Sequence, residues 1–178
     1  MESLVTIIIF NRKEINDMLI KTKCFGEVDI TEEKVITFED GLLGFEEYKR
    51  YTLLYNNEDG KQANVSWLQS MDEEKLAFPV INPFIVKPDY QPIINETLLQ
   101  GLGEFNEEED LLVLLTMSVP KDLTKMTANL KAPLVINSEL RKGVQAIVEN
   151  QDYLVKFPIY DVIKQAKKDK EAKAEKGD

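Results

Sequence analysis

The sequence predicts an all-β fold: a small antiparallel β-barrel-like or sandwich domain with one or two short helices. About ten short runs either alternate apolar and polar residues or are rich in β-branched residues. Glycine, proline and asparagine interrupt these runs frequently, as they do between short strands. The long alternating helices that an α/β layout would need are missing from the sequence pattern.

Residues 34–51 show the pattern of strand, sharp turn and returning strand most clearly. The first part alternates apolar and polar residues, and Gly41 and Gly44 then allow the chain to turn sharply twice. Acidic residues precede basic ones over 46–50, which favours one helical turn. The two large apolar residues beside these glycines are expected to plug the end of the β core. The absence of the Gly-x-Gly spacing and the several acids nearby argue against a phosphate-binding loop.

The other strands are predicted from alternation where it occurs, as in 27–31, 144–148 and 153–157, and otherwise from short apolar or β-branched runs bounded by turn residues. The predicted strands are 18–23, 27–31, 34–38, 51–55, 65–69, 77–81, 111–117, 126–130, 133–137, 144–148 and 153–157. The short gap between the second and third of these suggests a hairpin. Pro79 cannot donate a ladder hydrogen bond, so its strand should lie at an edge or a bulge. The run 111–117 is the most apolar and should be central, buried on both faces. Trp67, Phe78 and Leu114 are assigned to the core.

Two segments break the strand pattern. Residues 82–93 contain three prolines and should cross the surface as a long loop or an edge strand. Residues 95–102 form the best helix before the tail, with Asn95 as the cap and Gly101 or Gly103 as the end.

The domain organisation follows from shifts in composition. Residues 18–158 form the β-barrel-like domain, and 1–17 form an N-terminal extension, with an extra edge strand over 5–10 as the alternative. Residues 159–178 are rich in lysine and glutamate and form a charged helical or disordered tail. The apolar run 4–10 is too short to span a bilayer, so no membrane association is expected.

Charge and residue content exclude several function classes. The net charge of −10 and a pI near 4.7 argue against a nucleic-acid binder and favour a basic protein partner. The chain has no histidine, which removes the commonest general base and metal ligand. A single cysteine, Cys24, allows no internal disulfide, which indicates a cytoplasmic protein. The sequence therefore predicts no enzyme, no cofactor and no metal site.

Several motifs carry a resemblance to a known family. Residues 22–28 read Thr-Lys-Cys-Phe-Gly-Glu-Val, and 36–46 read Ile-Thr-Phe-Glu-Asp-Gly-Leu-Leu-Gly-Phe-Glu. Residues 67–70, 76–83 and 88–90 add shorter motifs, and 126–137 read Met-Thr-Ala-Asn-Leu-Lys-Ala-Pro-Leu-Val-Ile-Asn. In this order and spacing they resemble the flagellar assembly factor FliW family, from residue 18 to about residue 157. Glu39 and Leu43 depart from that family's pattern, which often has proline at both positions.

The resemblance implies a non-catalytic β-barrel regulator. Members of the family bind the RNA-binding translational regulator CsrA and relieve its repression of flagellin synthesis; they also bind flagellin. The resemblance thus implies these two protein partners, no direct nucleic-acid contact and a monomer when free. The alternative is a small-ligand-binding or structural β-barrel protein without catalytic activity.

Candidate partner contacts are chosen from the apolar proline-rich stretch, the acidic run after it and the strongest motif. The predicted contacts are Phe84, Ile85 and Tyr90 as anchors, Glu107, Glu108 and Glu109 as an acidic rim, and Asn129 with Lys131. The alternative for the anchors is that they fold back over the open end of the barrel. The alternative for Asn129 is a turn residue that satisfies backbone groups between two strands.

Overall fold

The computed structural model describes residues 17–58, 61–105 and 110–175. Its strands are β1 (Asp17–Thr22), β2 (Gly26–Thr31), β3 (Val35–Phe38), β4 (Arg50–Glu58), β5 (Lys61–Ser70), β6 (Ala77–Ile81), β7 (Leu111–Ser118), β8 (Thr127–Ala128), β9 (Leu134–Asn137), β10 (Lys142–Gln145) and β11 (Phe157–Pro158). Its α-helices are α1 (Pro83–Val86), α2 (Glu96–Leu99) and α3 (Tyr160–Glu175), and 3₁₀ turns cover Glu32–Lys34, Gln100–Leu102 and Leu123–Lys125.

Seven of these strands close into a barrel. The order runs β7-β6-β5-β4-β3-β10-β9, and β9 pairs with β7 to complete the ring. All of these pairs are antiparallel except β3 with β10, which is parallel. Closure leaves no exposed edge in the ring and confirms the predicted all-β barrel. The short strands β8 and β11 extend from β7 outside the ring.

The barrel interior is filled by apolar side chains that alternate along the strands. The buried members are Ile36, Phe38, Leu42, Tyr51, Leu68, Val80, Leu114, Leu134 and Ile136. The rings of Phe38 and Tyr51 meet edge to face, with centroids 5.6 Å apart. A Cβ at Gly143 would lie 2.5 Å from the Phe38 ring, so only glycine leaves room for the ring there. Leu42 is buried in this core, as predicted for a residue that plugs the end of the barrel.

Two further apolar clusters lie on the outer faces of the barrel. The β1–β2 hairpin covers Val35 and Leu54, and Trp67 packs half-buried against that cluster. On another side, the chain after β8 and the start of α3 cover Ile81 and Leu115 of β6 and β7. The residues assigned to the core from the sequence therefore fall in different layers. Leu114 lies in the barrel interior, Phe78 packs half-buried against it, and Trp67 belongs to an outer cluster.

The hairpin predicted between 27–31 and 34–38 is wrong. Strand β2 pairs with β1 in a separate two-stranded sheet, whereas β3 pairs with β4 and β10. The reason is the 3₁₀ turn at Glu32–Lys34, which redirects the chain so that the two strands enter different sheets. The local alternation located both strands correctly but could not identify their partners.

The edge position predicted for the strand with Pro79 is also wrong, since β6 lies between β5 and β7. Only Val80 and Ile81 of β6 pair with β7, however, and Pro79 lies outside that ladder. A proline is tolerated in this interior strand because pairing on the β7 side begins one residue later.

Other predicted segments are shorter or different in the structure. Residues 46–50 form a hydrogen-bonded turn and the start of β4 instead of a helical turn. Within 126–130 and 153–157, strand pairing is limited to β8 and the first residue of β11. Tyr153 is buried in the apolar cluster outside the barrel, so the alternation of residues around it reflects the burial of its side chain and not a strand. The possible strand 5–10 lies outside the described residues.

Asparagine caps begin both short helices. The Asn82 side chain accepts from the amide of Phe84, and that of Asn95 accepts from the amide of Thr97. The predicted helix 95–102 is confirmed as α2 followed by a 3₁₀ turn, which ends at Gly103 with a φ of 75°. The proline-rich stretch contains the short helix α1, which the sequence did not predict; Pro83 fits its first position, where no amide hydrogen is needed.

Substitution of Gly41 should destabilise the fold strongly. Gly41 has a φ of 71°, and an added Cβ would lie 2.7 Å from the Cα of Glu46. We expect Gly41→Ala to lower the free energy of unfolding by about 3 kcal/mol or more, from backbone strain plus the clash. Gly44→Ala is the matched control: φ is 82° but the added Cβ meets nothing within 4 Å, so the loss should be about 1 kcal/mol. Equal losses in urea unfolding would contradict this account.

Stability should fall at alkaline pH because of buried tyrosines. Burial raises the pKa of Tyr51 to about 12, whereas an unfolded tyrosine titrates near pH 10. Between these values the unfolded chain has lost the proton that the folded chain keeps, so unfolding becomes progressively easier as pH rises from about 10 to 12. Among the described residues, the buried Tyr51 hydroxyl has no hydrogen-bond partner, so Tyr51→Phe should be near neutral at pH 7. Urea unfolding followed by circular dichroism should show a smaller alkaline loss in Tyr51→Phe; an unchanged loss would contradict the assignment.

Candidate functional site

Of the three predicted anchors, Phe84 presents most of its side chain to solvent. It lies on α1, and its side chain is 58% exposed. Ile85 is half-buried and packs against the outer cluster beneath α1. The capped turn fixes the backbone, so the Phe84 side chain faces solvent while the Ile85 side chain packs against the outer cluster.

Tyr90 does not lie on the surface, which corrects its prediction as an exposed anchor. It is 3% exposed, and its hydroxyl donates to the carbonyl oxygen of Leu130 at 3.0 Å. Its ring stacks on that of Tyr153, with centroids 5.0 Å apart. Burial is the main reason that the pKa of the Tyr90 phenol is raised well above its ordinary value. Tyr90 thus follows the alternative interpretation, in which the stretch folds back onto the barrel.

Asn129 and Lys131 are engaged in the turn after β8. The Asn129 side-chain oxygen accepts from the backbone amides of Lys131 and Ala132, both at 3.0 Å. The Lys131 ammonium donates to the carbonyl oxygen of Asn150 at 2.6 Å. These contacts confirm the turn interpretation of Asn129, and a partner contact at either residue stays a prediction.

The acidic rim, Glu107 to Glu109, lies outside the described residues. The residues on either side of this segment are held by the end of β9 and by the turn that follows it. Asn137 donates to the carbonyl oxygens of Leu102 and Glu104, at 3.2 and 3.1 Å. Ser138 donates through its amide and its hydroxyl to the carbonyl oxygen of Asp110.

A cleft of about 280 Å³ opens where the turn after β3 meets α2 and β10. We call this surface the acidic cleft. Its lining residues are Glu39, Asp40, Gly41, Leu42, Leu43, Glu46, Thr97, Leu98, Gly101, Gly143, Val144 and Gln145. Leu43 and Leu98 are exposed, at 53% and 42%, so the cleft combines apolar side chains with carboxylates.

Hydrogen bonds hold the turn that forms one wall of this cleft. The amide of Leu43 donates to the side-chain oxygen of Gln145 on β10 at 2.8 Å. The amide of Gly44 donates to the carboxylate of Glu46, also at 2.8 Å. Phe45 packs edge to face on Phe78, with centroids 5.1 Å apart. The turn is therefore fixed to the barrel on both sides, and the cleft is largely preformed.

The charge of the acidic cleft is negative. The hydrogen bond from the Gly44 amide is the main reason that the pKa of the Glu46 carboxyl is lowered, so Glu46 is ionised at neutral pH. Glu39 and Asp40 add two further carboxylates beside it, and the Lys142 ammonium lies 3.8 Å from Glu39. Three acids around exposed leucines suit a segment that carries both basic and apolar side chains.

Comparison with known proteins identifies the family. The model for the FliW protein family matches residues 19–159. This chain belongs to the FliW family. It is 50% identical over 144 residues to the flagellar assembly factor FliW of Lachnoclostridium phytofermentans, which covers 81% of this chain and 92% of that relative. It is 41% identical over 143 residues to that of Leptospira interrogans, covering 80% and 93%. A crystal structure of the flagellar assembly factor FliW matches with a TM-score of 0.73 and 32% identity, over 80% of this chain and 96% of the other.

The region that matches the FliW model contains the whole acidic cleft and Phe84, whereas α3 lies beyond it. Among the described residues, no helix is long and apolar enough to cross a membrane. Within the same part of the chain, no three acidic or cysteine side chains converge in a way that could hold a metal ion.

Sequence reasoning missed the acidic cleft as a site. The sequence pattern predicts a structural plug for the turn residues and places Leu98 only in a helix. Their proximity depends on the parallel pairing of β3 with β10, which brings Gln145 beside Leu43 from roughly a hundred residues away in the chain. The available signal was the density of acids around two glycines.

Two substitutions should separate a structural role of Asn129 from a contact role. Asn129→Ala removes an acceptor that serves two backbone amides, so we expect a loss of about 1–2 kcal/mol in the free energy of unfolding. Asn129→Asp keeps an acceptor oxygen in the same place and should cost much less. Thermal unfolding of both variants measures the difference; similar losses would show that the two hydrogen bonds do not account for the role of Asn129.

Proposed function

We propose that this FliW-family protein is a non-catalytic, cytoplasmic regulator that binds two proteins. One partner is CsrA, the RNA-binding repressor of flagellin translation, and the other is flagellin itself. Through them it couples flagellin synthesis to flagellar assembly. Membership of a family whose relatives are named flagellar assembly factors supports this proposal.

The observation that carries the proposal is the acidic cleft. Carboxylates of Glu39, Asp40 and Glu46 surround the exposed side chains of Leu43 and Leu98. A protein that binds RNA needs a basic surface, and such a surface is attracted to this one. Apolar contacts in the cleft would supply most of the affinity, while the charges would speed encounter and exclude acidic partners. The net charge of −10 strengthens the same preference and disfavours direct binding of nucleic acid.

Phe84 is the candidate for a second contact surface. Its exposed ring stands on a capped turn that packs on the outer cluster, so ordering it in a complex would cost little conformational entropy. The two surfaces allow two partners to be bound by one free monomer. A switch then requires that binding of flagellin lowers the affinity for CsrA, and linkage requires that CsrA lowers the affinity for flagellin by the same factor.

The experiment is a calorimetric titration of the full chain with CsrA from the same organism, followed by a challenge with flagellin. We expect a saturable complex that weakens with salt and dissociates when flagellin is added. Asp40→Lys and Leu98→Asp should each weaken CsrA binding by about 10-fold or more, because both lie at the cleft. Phe84→Ala should weaken the binding of one partner only.

Matched controls test whether the effects are local. Glu27→Lys makes the same charge change as Asp40→Lys on the β1–β2 hairpin, and Leu123→Asp makes the same apolar change on a separate 3₁₀ turn. Leu19→Ala, at a side chain 64% exposed on β1, is the control for Phe84→Ala. Equal effects of cleft and control substitutions would remove the cleft from the proposal. The absence of any complex at micromolar concentration and low salt would overturn the regulator function as a whole.

A further inference from the structure

A cavity of about 380 Å³ opens at the end of the barrel opposite the acidic cleft. We call it the barrel mouth. It lies where β3, β7 and β10 begin and where β9 ends. Its volume is within the range of small-molecule sites in proteins.

The floor and walls of the barrel mouth are apolar. Ile36 and Ile136 form the floor and are each 1% exposed, whereas Leu53 and Leu112 are half-buried and form the walls. These side chains point into the barrel, so the mouth is the part of the interior that the core residues leave unfilled. An apolar body of small size could fill it and remove this surface from water.

The rim carries two cations in a chain with an excess of acid. Lys34 and Arg141 both line the mouth, and among the described residues neither takes part in an ion pair. Arg141 is a non-glycine residue with a φ of 54°, and its carbonyl oxygen accepts from the amide of Thr37 at 2.8 Å. A non-glycine residue keeps such a backbone conformation only where the surrounding structure holds it there. The hydrogen bond from Thr37 is one such restraint, so the backbone that carries the Arg141 side chain is held at the rim.

Tyr55 adds a hydrogen-bonding group to the same rim. Burial raises the pKa of its phenol, and the positive charge of Arg141 opposes that rise, so the two groups are within electrostatic reach of each other. The phenol is protonated at neutral pH and can donate a hydrogen bond beside the guanidinium.

We infer that the barrel mouth binds a small organic carboxylate with an apolar body. The carboxylate would lie at the rim between Arg141 and Lys34, within reach of the Tyr55 hydroxyl, and the body would contact the leucine and isoleucine walls. The planar guanidinium suits a carboxylate because it can donate two parallel hydrogen bonds. This inference does not depend on either protein partner, since the mouth and the acidic cleft lie at opposite ends of the barrel.

The test is a titration of the ¹⁵N-labelled full chain with 3-phenylpropionate, followed by nuclear magnetic resonance. The probe has the charge and the apolar body of the proposed class, and 3-phenylpropionamide has the same body without the charge. We expect saturable shifts of mouth residues with the acid, and binding of the amide weaker by about 10-fold or more.

Three variants locate the binding. Arg141→Gly removes the guanidinium and keeps a residue that tolerates the positive φ, so the fold should persist while affinity falls by about 10-fold. Arg50→Gln is the control for lost charge, because Arg50 pairs with Asp72 outside the mouth and should leave the affinity unchanged. Leu112→Trp should abolish binding by filling the cavity. The inference is overturned if no shifts saturate up to about 10 mM acid, a limit that corresponds to negligible affinity. Equal binding of acid and amide, or equal losses in Arg141→Gly and Arg50→Gln, would overturn it as well.

Discussion

The pairing of β7 with both β6 and β9 is the constraint on which the rest of the structure depends. The first half of β7 pairs with β9, and the second half pairs with β6 and then β8. One strand therefore closes the ring and also supports both core layers, since Leu114 faces the interior and Leu115 faces the outer cluster. The mostly apolar character of 111–117 follows from these two faces, because a buried polar side chain without a partner on either face would cost free energy. The acidic cleft and the barrel mouth lie at the two ends of this closed ring.

Local patterns were enough to predict the fold class and the position of most strands. Alternation located β2 and β3, and short apolar or β-branched runs bounded by turn residues located β4, β5 and β9. Pairing could not be predicted in the same way: β2 and β3 are adjacent in the chain but lie in different sheets, because a 3₁₀ turn separates them. The edge position predicted from Pro79 was wrong for a related reason. Proline is excluded from an interior strand only where its nitrogen would have to donate a hydrogen bond, and the pairing of β6 with β7 begins after Pro79.

The candidate sites were less predictable than the fold because they depend on exposure and on distant neighbours. Phe84 and Tyr90 belong to the same proline-rich stretch, yet one is exposed and the other is stacked on Tyr153. Both are aromatic residues suited to a core or to an exposed anchor, and the difference arises from the short helix α1 and from the hydrogen bond that the Tyr90 hydroxyl makes to the chain after β8. The acidic cleft and the barrel mouth likewise combine residues from both halves of the chain. The strong acidic surplus predicts a basic partner, but it does not predict where such a partner would bind.

The parallel pair of β3 and β10 has a consequence for the order of events during synthesis. Phe38 and Gly143 are partners in this pair although roughly a hundred residues separate them in the chain. Contacts of such long range close a large loop, so they form late in folding and slow it. While the chain emerges from the ribosome, β3 has no neighbour on that side, and the Phe38 ring that Gly143 will accommodate remains uncovered. The nascent protein therefore carries an open sheet edge until β10 has been made, and this is the interval in which it is most exposed to aggregation.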